Sequence, residues 1–516
     1  MPSRRSFLAG TAATALTWPR TAPAGRSSSG RGFEGSHWMA AMDADPGELD
    51  LSITRADVQG VLPPALQGQT LVMNGPARMF LGGRRTHPFD GHGYVRALRF
   101  GANGLRLRAR FVETAPFTAE QAAQGLIYRG LATNPSDVPR ANRVAPAPKN
   151  VANTTVTPWG GQLLAGWEGG LPHALDPRTL ETLGPVDFGG VLADQAVLAH
   201  MKLDRQRDRL ITVSPTQSLD TQLTFREFGA DHTLASERSF TLRGAMMVHD
   251  FAITDRYYVI GENALTVDLK AFLRFKRGTG TMMEAIASDS ERDGAWWLIP
   301  RHDPQAPAVR IPLDRPMLSL HYANAYDQAD GRVVVDSCTF EEMIFGQEFG
   351  YVGAHADLDP FANSTPPCQS LQRTVIDPRT ATATELPRSV HAVDFPRIHP
   401  DLDGQPSSLV ATAGCSVPGQ TFPFDMLALY DLADPLRPPD CWKAPPGTFV
   451  GEPVLAGLPG SRDERETWVI VALTDGVEGM THVCVFDPNQ VASGPVATIR
   501  LPELLPYAFH GAMIPA

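Results

Sequence analysis

The sequence predicts an all-β protein, specifically a seven-bladed β-propeller with loops and a few short helices capping one face. The chain has 516 residues, of which 43% are hydrophobic, and its 46 Gly and 45 Pro residues favour many short strands over long helices. A strand that ends in Asp and Pro also recurs at Asp176, Asp377, Asp431 and Asp487, with gaps of 201, 54 and 56 residues. The two shorter gaps, and about a quarter of the longest, match the length of one four-stranded blade.

The first 24 residues resemble a twin-arginine signal peptide, which predicts export to the periplasm. Arg4 and Arg5 precede a short apolar run, and the sequence A-P-A at 22–24 provides small residues for cleavage. This apolar run is too short to span a bilayer, and no other stretch is long and apolar enough to do so. Residues 25–45, which are rich in Gly, Ser and Ala, are predicted to form a flexible linker.

Residues 46–516 are predicted to form a single propeller domain, because short β-rich runs alternate with turns almost throughout. Helical patterns are few. One covers residues 117–126, where Thr118 and Gln121 have the spacing of a capping box. A second helix is expected at residues 280–290, and both are expected in loops over one face of the propeller.

Charge and cysteine content exclude several classes of function. The net charge is −11, and no basic patch with interleaved aromatic residues is present, so nucleic acid is not an expected partner. No Gly-rich dinucleotide fingerprint is present either. The five cysteines contain no CxxC pair, which argues against a zinc–thiolate site. Their odd number leaves room for one disulfide without indicating which residues form it.

Four of the 14 histidines share one setting, since each ends or interrupts an apolar run with strand character. They are separated by 49, 72 and 189 residues, which corresponds to one or more blades in each case. Because the innermost strands of a propeller converge on its axis, histidines from four blades can meet at one point. Neutral imidazoles suit Fe, Cu, Ni or Zn, so the pattern predicts a metal site. The four residues are His200, His249, His321 and His510.

The segments around these histidines resemble those of the carotenoid cleavage oxygenase family. Other segments resemble the family in the same order over residues 50–516, namely NGPARMF, HPFDGHGYV, ANTTV, LLAGWEGGLPHALDPRTLETLG, IPRHD, VDFPRIHP and GEPV. The resemblance implies a seven-bladed propeller that binds one non-haem Fe(II) per subunit through four histidines. It also implies cleavage of carbon–carbon double bonds with O2, and the same four histidines as ligands.

The resemblance further implies carboxylate partners for the ligating imidazoles, which fix the tautomer and the ring orientation of a metal-bound histidine. Glu168 and Glu452 match two of the three glutamates that the family uses. The third position is Asp394, whose side chain is one methylene shorter. Either it contacts its histidine through a water or after a small backbone shift, or that histidine is held less firmly. Glu385 is a weaker substitute. Thr154 matches a family threonine near the metal, where its methyl group would narrow access to an open coordination position.

The predicted function is oxidative cleavage of a carotenoid or apocarotenoid, with O2 and a lipophilic polyene as substrates and a peripheral contact with a membrane surface. Trp167 is predicted to contact the substrate. Stilbene-cleaving relatives have a lysine at this position, and an indole offers an apolar face to a polyene instead. Three alternatives remain: a stilbene-cleaving dioxygenase, an isomerohydrolase, and a propeller that binds metal or ligand without catalysis. Oligomeric state and cleavage position are left open.

Overall fold

A computed structural model of the protein describes residues 37–133, 138–144, 148–193, 195–244, 246–303, 305–340, 369–386, 389–417 and 422–515. The described residues form seven antiparallel sheets of four or more strands, together with two small two-stranded hairpins. The seven sheets are the blades of a propeller, which confirms the fold class predicted from the sequence.

The strands are short and are numbered in chain order. They are β1 (Leu49–Ile53), β2 (Val58–Gly60), β3 (Gln69–Asn74), β4 (Pro76–Ala77), β5 (Phe80–Leu81), β6 (Arg84–Arg85), β7 (His92–Gly101), β8 (Gly104–Phe111), β9 (Thr155–Trp159), β10 (Gln162–Gly166), β11 (His173–Leu175), β12 (Thr182–Pro185), β13 (Lys202–Asp204), β14 (Arg209–Gln217), β15 (Thr221–Phe228), β16 (Leu234–Leu242), β17 (Ala252–Ile253), β18 (Tyr257–Glu262), β19 (Leu265–Val267), β20 (Ile286–Ser288), β21 (Ala295–Pro300), β22 (Val309–Pro312), β23 (Leu318–Asp327), β24 (Val333–Phe340), β25 (Ser370–Asp377), β26 (Thr382–Glu385), β27 (Val393–Arg397), β28 (Leu409–Gly414), β29 (Met426–Asp431), β30 (Asp440–Lys443), β31 (Thr448–Val450), β32 (Val454–Ala456), β33 (Trp468–Asp475), β34 (Met480–Phe486), β35 (Ala497–Leu501) and β36 (His510–Pro515). The α-helices in the described part of the chain are α1 (His37–Met42), α2 (Ala115–Ala123), α3 (Arg140–Arg143) and α4 (Leu269–Lys276).

The blades follow one another along the chain, and both ends of the described chain close the ring. Blade I contains β9–β12, blade II β13–β16, blade III β17, β18, β21 and β22, blade IV β23–β26, and blade V β27–β30. Blade VI contains β31–β35 and also β2, and blade VII contains β36, β3, β7, β8 and β1. The late strand β36 therefore pairs with the early strand β3, and the early strand β2 pairs with the late strand β35.

The hydrophobic core is divided among the interfaces between neighbouring blades. Of the nine clusters of buried apolar residues in the described part of the chain, the seven largest lie one at each of the seven blade–blade interfaces. Between blades III and IV, for example, Trp296, Met317 and Val335 are all fully buried. Burying a large apolar side chain contributes about 1.5–3 kcal/mol, so the packing between blades stabilises the ring.

Functional groups concentrate on the cap face, by which we mean the face where the innermost strands begin. Strands alternate in direction within a blade, so connections between second and third strands, and connections between blades, lie on this face. The helices α2 and α3 lie between blades VII and I, and α4 lies between the second and third strands of blade III. The recurrent Asp–Pro turns join third and fourth strands and therefore lie on the opposite face. Within the described residues, no helix is long and apolar enough to cross a membrane.

Two helix predictions need correction. Helix α2 begins at Ala115, and its N-cap is Thr114, whose hydroxyl accepts a hydrogen bond from the Phe117 N–H at 3.2 Å, instead of the predicted capping box at Thr118. A proline in the first turn, which suits a helix start, was the signal for the earlier boundary. The predicted helix at 280–290 contains a 3₁₀ turn and strand β20, and the helix of this connection is α4 instead.

The predicted linker at 25–45 extends too far. Residues 25–36 lie outside the described residues, but residues 37–42 form α1, and Trp38 is fully buried. The Trp38 indole makes edge contacts with Phe422, Phe449 and Tyr507 at ring-centroid distances of 4.8–5.1 Å. Anchoring by one large aromatic residue orders this segment despite its small-residue composition.

Candidate metal centre

The four histidines singled out in the sequence lie together at the propeller axis on the cap side. Each belongs to a different blade and lies close to the start of an innermost strand: His200 before β13, His249 before β17, His321 within β23, and His510 at the first position of β36. Strand β17 contacts both β13 and β23, and β36 contacts the innermost strands of blades I and VI, β9 and β32. The convergence follows from the repeat, since successive blades present equivalent positions to the same point.

The imidazole nitrogens are close enough to share one ion. The Nε2 atom of His249 lies 3.2 Å from that of His200 and 3.4 Å from that of His321. Donor atoms of these three residues all lie within 4.8 Å of one another. The His510 ring completes the group, with centroid distances of 4.6 Å to His200 and 5.2 Å to His321. The structure thus brings all four predicted residues together.

Three of the four imidazoles contact a carboxylate through Nδ1. The distances are 3.1 Å from His249 to Glu168, 2.8 Å from His321 to Asp394, and 2.9 Å from His510 to Glu452. Glu168 also accepts a hydrogen bond from the N–H of Ala199, next to His200, at 3.2 Å. Among the described residues, His200 alone of the four histidines makes no ion pair with a carboxylate.

Asp394 contacts His321 directly, although its side chain is one methylene shorter than that of a glutamate. Strand β27 has a β-bulge between Asp394 and Arg397, and Phe395 within it has a φ of 53°. Bulges redirect side chains, and this one places the short carboxylate within 2.8 Å of Nδ1. Glu385, the weaker substitute, pairs instead with Arg315 and takes no part in the centre.

The carboxylates and burial together set the protonation of the cluster. Burial and the three neighbouring imidazoles lower the pKa of His200 well below its usual value, so it is neutral at pH 7. Burial also lowers the pKa of His510. Burial acts in the same direction on His321, but the adjacent Asp394 outweighs it and raises the pKa of that histidine. Neutral imidazole is the form that binds a metal ion.

The donor set fits a divalent metal ion. The Nδ1 atoms of His249 and His321 face carboxylates, so a metal ion would be bound through their Nε2 atoms, which lie 3.4 Å apart. Nitrogen ligands about 2.1 Å from one metal ion lie roughly 3.0–3.4 Å apart at octahedral to tetrahedral angles. The observed separations of 3.2 and 3.4 Å match that range.

The remaining predicted residues lie in blade I. Thr154 directly precedes β9, the innermost strand of blade I, and its hydroxyl donates to Asn153 Oδ1 at 3.1 Å. Trp167 is 3% exposed, and a Cβ atom at residue 169 would come within 2.5 Å of its indole, which explains the glycine there. Narrowing of the coordination position by Thr154 and substrate contact by Trp167 stay predictions.

A layer of polar residues next to the histidines was missed in the sequence. The carboxylate of Asp250, one residue after His249, pairs with Lys202 at 2.8 Å and accepts from the N–H of Tyr322 at 3.1 Å. It therefore links the innermost strands of blades II, III and IV. An acidic residue inside an apolar strand-like run was the available signal, since buried charges are usually paired.

Comparison with known proteins agrees with this geometry. The profile of the retinal pigment epithelial membrane protein family matches residues 45–515. The apocarotenoid-15,15'-oxygenase of Synechocystis is 31% identical over 507 residues, which cover 95% of this chain and 99% of the relative. The chloroplastic carotenoid cleavage dioxygenase 7 of rice, Oryza sativa subsp. japonica, is 30% identical and covers 89% of this chain, with 88% of the relative covered.

A solved structure shows the same architecture. The cobalt-substituted Synechocystis oxygenase superimposes with a TM-score of 0.83 at 29% identity, covering 93% of this chain and 98% of the other. The likeness therefore extends over the whole propeller, and this solved structure is of a cobalt-substituted form. With the family profile matched over nearly the entire chain, the protein belongs to the carotenoid oxygenase family.

Proposed function

We propose that the protein is a non-haem Fe(II) dioxygenase that oxidatively cleaves a carbon–carbon double bond of a carotenoid or apocarotenoid. The observation that carries this proposal is the convergence of four histidines from four blades, with three Nδ1 atoms on carboxylates and Nε2 atoms 3.2–3.4 Å apart. Membership in a family of carotenoid-cleaving oxygenases supplies the reaction class. His200, His249, His321 and His510 would bind one Fe(II) per subunit.

The residues of the chain have distinct roles in this reaction. When bound by the four imidazoles, Fe(II) would supply the redox chemistry toward O2. The carboxylates of Glu168, Asp394 and Glu452 orient their imidazoles, so the donor nitrogens are in place before the substrate enters. The blades bury the centre, because His200 and His510 are only 9% and 7% exposed. This burial limits water access while a polyene is cleaved.

The direct test combines metal analysis with product analysis. Purified protein is loaded with Fe(II) under anaerobic conditions and then mixed with a carotenoid, an apocarotenal or a 4-hydroxystilbene in the presence of O2. The proposal expects one iron per chain, O2 uptake, and two carbonyl products whose masses give the cleavage position. If ferrous protein consumes no O2 with any of these compounds, the alternative of a binding propeller is correct. An isomerised product without O2 uptake would instead indicate an isomerohydrolase.

The substrate class depends on Trp167. A lysine at this position would leave an unpaired ammonium beside a polyene, whereas the buried indole presents an apolar surface. We expect a higher kcat/KM for an apocarotenal than for a 4-hydroxystilbene in direct competition. The Trp167→Lys variant should lose turnover of the polyene. A wild-type preference for the stilbene would support the stilbene-cleaving alternative and leave the metal site unaffected.

A lipophilic substrate also requires a route from a membrane, and we propose that α4 contacts the membrane surface. This helix lies on the cap face and exposes Leu269 and Leu273, which are 66% and 41% accessible. The same helix contains Lys270, Arg274 and Lys276. Exposed apolar side chains flanked by cations are typical of helices that lie in the interface of an anionic bilayer.

Vesicle binding tests this contact. Wild-type protein should sediment with phosphatidylglycerol vesicles, and the double variant Leu269→Gln/Leu273→Gln should sediment less while it keeps its cleavage of a detergent-solubilised substrate. The matched control is Leu436→Gln, because Leu436 is 78% exposed but lies in the turn between β29 and β30, on the face opposite to α4. Equal binding by all three proteins would show that α4 makes no contact with the membrane.

We propose delivery to the periplasm by twin-arginine export, on the basis of the sequence of residues 1–24, which lie outside the described residues. The double variant Arg4→Lys/Arg5→Lys should accumulate as uncleaved precursor in the cytoplasm, because the paired arginines are what the export receptor reads. Unchanged delivery of this variant, measured by cell fractionation, would refute the assignment.

A further inference from the structure

The innermost strand of blade V contains no histidine, yet it contacts two of the histidine-bearing blades. Asp394 on β27 faces Nδ1 of His321 in blade IV at 2.8 Å. The ring of Phe395, the next residue, has its centroid 5.5 Å from that of His321 and 5.4 Å from that of His510 in blade VII. Two residues later, Arg397 contacts the segment that contains His510.

Arg397 contacts both groups that fix the position of His510. Its Nη2 donates to the carbonyl oxygen of Gly511 at 3.1 Å, and its Nη1 lies 3.6 Å from Oε1 of Glu452. The same Oε1 faces Nδ1 of His510 at 2.9 Å, and Oε2 accepts from the Gly511 N–H at 2.7 Å. Arg397, Glu452 and Gly511 therefore form a closed set of polar contacts around the Nδ1 side of His510.

The bulge in β27 makes this arrangement possible. Side chains alternate between the two faces of a regular strand, so residues 394 and 397 would point in opposite directions. In β27, Asp394 pairs with Ala413 and Arg397 with Ala411, and these two alanines share one face of β28. By this register, the extra residue of the bulge places Asp394 and Arg397 on the same face of the sheet.

We propose that Arg397 is a positioning residue for the metal ligand His510 and acts by fixing the orientation of the Glu452 carboxylate. This inference rests on the proposed function, because it assumes that the four histidines bind a metal ion. Arg397 offers a planar pair of donors that contacts a carbonyl and a carboxylate together, which a lysine ammonium cannot reproduce in one geometry. Loss of this contact would let the carboxylate turn and would widen the range of His510 orientations.

The experiment measures metal affinity and ligand geometry in the full-length protein with Co(II) as the probe. Chelator competition gives the Kd of Co(II), and the visible spectrum of the bound ion reports its coordination geometry. The Arg397→Met variant should bind Co(II) about tenfold more weakly, as expected for loss of an outer partner of a metal ligand. It should also show a changed spectrum, and Arg397→Lys should fall between wild type and Arg397→Met.

The matched control is Arg256→Met. Arg256 is 41% exposed, compared with 37% for Arg397, and it likewise contacts a carboxylate, that of Asp327, and a glycine carbonyl, that of Gly331. It lies away from the four histidines, so its loss should lower thermal stability without changing Co(II) affinity or spectrum. If Arg397→Met also lowers only thermal stability, its role is structural and the inference is wrong.

A double-mutant cycle shows whether Arg397 acts through Glu452. If it does, the Arg397→Met/Glu452→Gln variant should bind Co(II) no more weakly than Glu452→Gln alone. Additive losses would refute action through the carboxylate. If Arg397→Met does not fold, the same cycle with Arg397→Lys gives the answer.

A wild-type protein that binds neither Fe(II) nor Co(II) would overturn the proposed function and this inference together. Binding by the wild type with unchanged variants overturns the inference alone.

Discussion

Four blades contribute histidines to the centre, and the other three contribute carboxylates. Blades II, III, IV and VII contain the four imidazoles, whereas blades I, V and VI contain Glu168, Asp394 and Glu452. Each carboxylate orients a histidine that belongs to a different blade. The geometry of the metal site therefore depends on how the blades pack against one another. No single blade, taken by itself, contains both a ligand and the group that orients it.

The largest effect is expected in the histidine blades. Replacing any one of the four histidines with alanine, for example His510→Ala, should remove most of the iron and nearly all activity. The loss of affinity should exceed the range of about 10–100-fold that is typical of outer partners, because a donor atom is deleted. Iron content and O2 uptake measure it. The control is His173→Ala, a buried histidine of blade I that should keep full iron. Full iron in a His510→Ala protein would remove that residue from the ligand set.

The carboxylate blades should show a smaller effect of a different kind. Glu452→Gln keeps the side-chain shape but loses the charge, so iron affinity should fall by about 10–100-fold while the fold is retained. Circular dichroism and chelator competition separate these two outcomes. Glu262→Gln is the control, since Glu262 also pairs with arginines but lies in β18, away from the histidines. If Glu452→Gln and Glu262→Gln bind iron with equal affinity, the carboxylate blades do not orient the histidines.

A still smaller effect is expected from Asp394→Glu. The aspartate already contacts Nδ1 of His321 at 2.8 Å, so one more methylene group must be accommodated in a buried site, where Asp394 is 7% exposed. Overpacking of this kind typically costs about 1–3 kcal/mol in stability. We expect a lower melting temperature with iron affinity within a few-fold of wild type. A variant with a raised melting temperature would show that the bulge in β27 adapts to a glutamate.

The weakest effect concerns pH and separates His321, whose partner Asp394 raises its pKa, from His200, which makes no ion pair with a carboxylate. In metal-free protein, His321 should take up its proton at higher pH than His200, because the pKa of His321 is raised and that of His200 is lowered. Protonated His321 stabilises the fold below the unfolded value of about 6.5, and this contribution disappears as the pH rises through its folded pKa. The contribution of His200 to stability has the opposite sign. Its pKa is lowered in the folded state, so the fold loses stability relative to the unfolded chain as the pH falls below about 6.5. NMR titration of the imidazole resonances gives the order, and a reversed order would contradict the assigned partners.

The repeat made the fold and the convergence of the four histidines predictable from the sequence. A turn that recurs once per blade indicates the propeller, and equivalent positions in successive blades meet at the axis. The orienting carboxylates were identified by resemblance to the family. Periodicity gave no indication of them, because their partners lie in other blades and far away in the sequence. Sequence spacing contains no information about such contacts until the ring is assembled.

The bulge in β27 and the helix boundaries were not predictable in the same way. A bulge adds one residue to a strand without a distinct composition, and Phe395 has a φ of 53° that local propensity does not favour. Helix α1 forms because Trp38 packs against aromatic residues nearly 400 positions later in the chain. In both cases tertiary packing decides the local conformation. Local sequence patterns therefore predict neither the bulge in β27 nor the start of helix α1.

The pairing of β36 with β3 imposes an order on biosynthesis. A polypeptide is made from its N-terminus, so His200, His249 and His321 leave the ribosome well before His510 does. Strand β36 must be translated and must pair with β3, more than 400 residues earlier in the chain, before His510 can join the other three histidines. Until then, the nascent chain can bring together only those three. Completion of the histidine cluster therefore coincides with a contact of very high sequence separation, the kind of contact that slows folding most. A metal ion that requires all four imidazoles would bind only after the ring has closed.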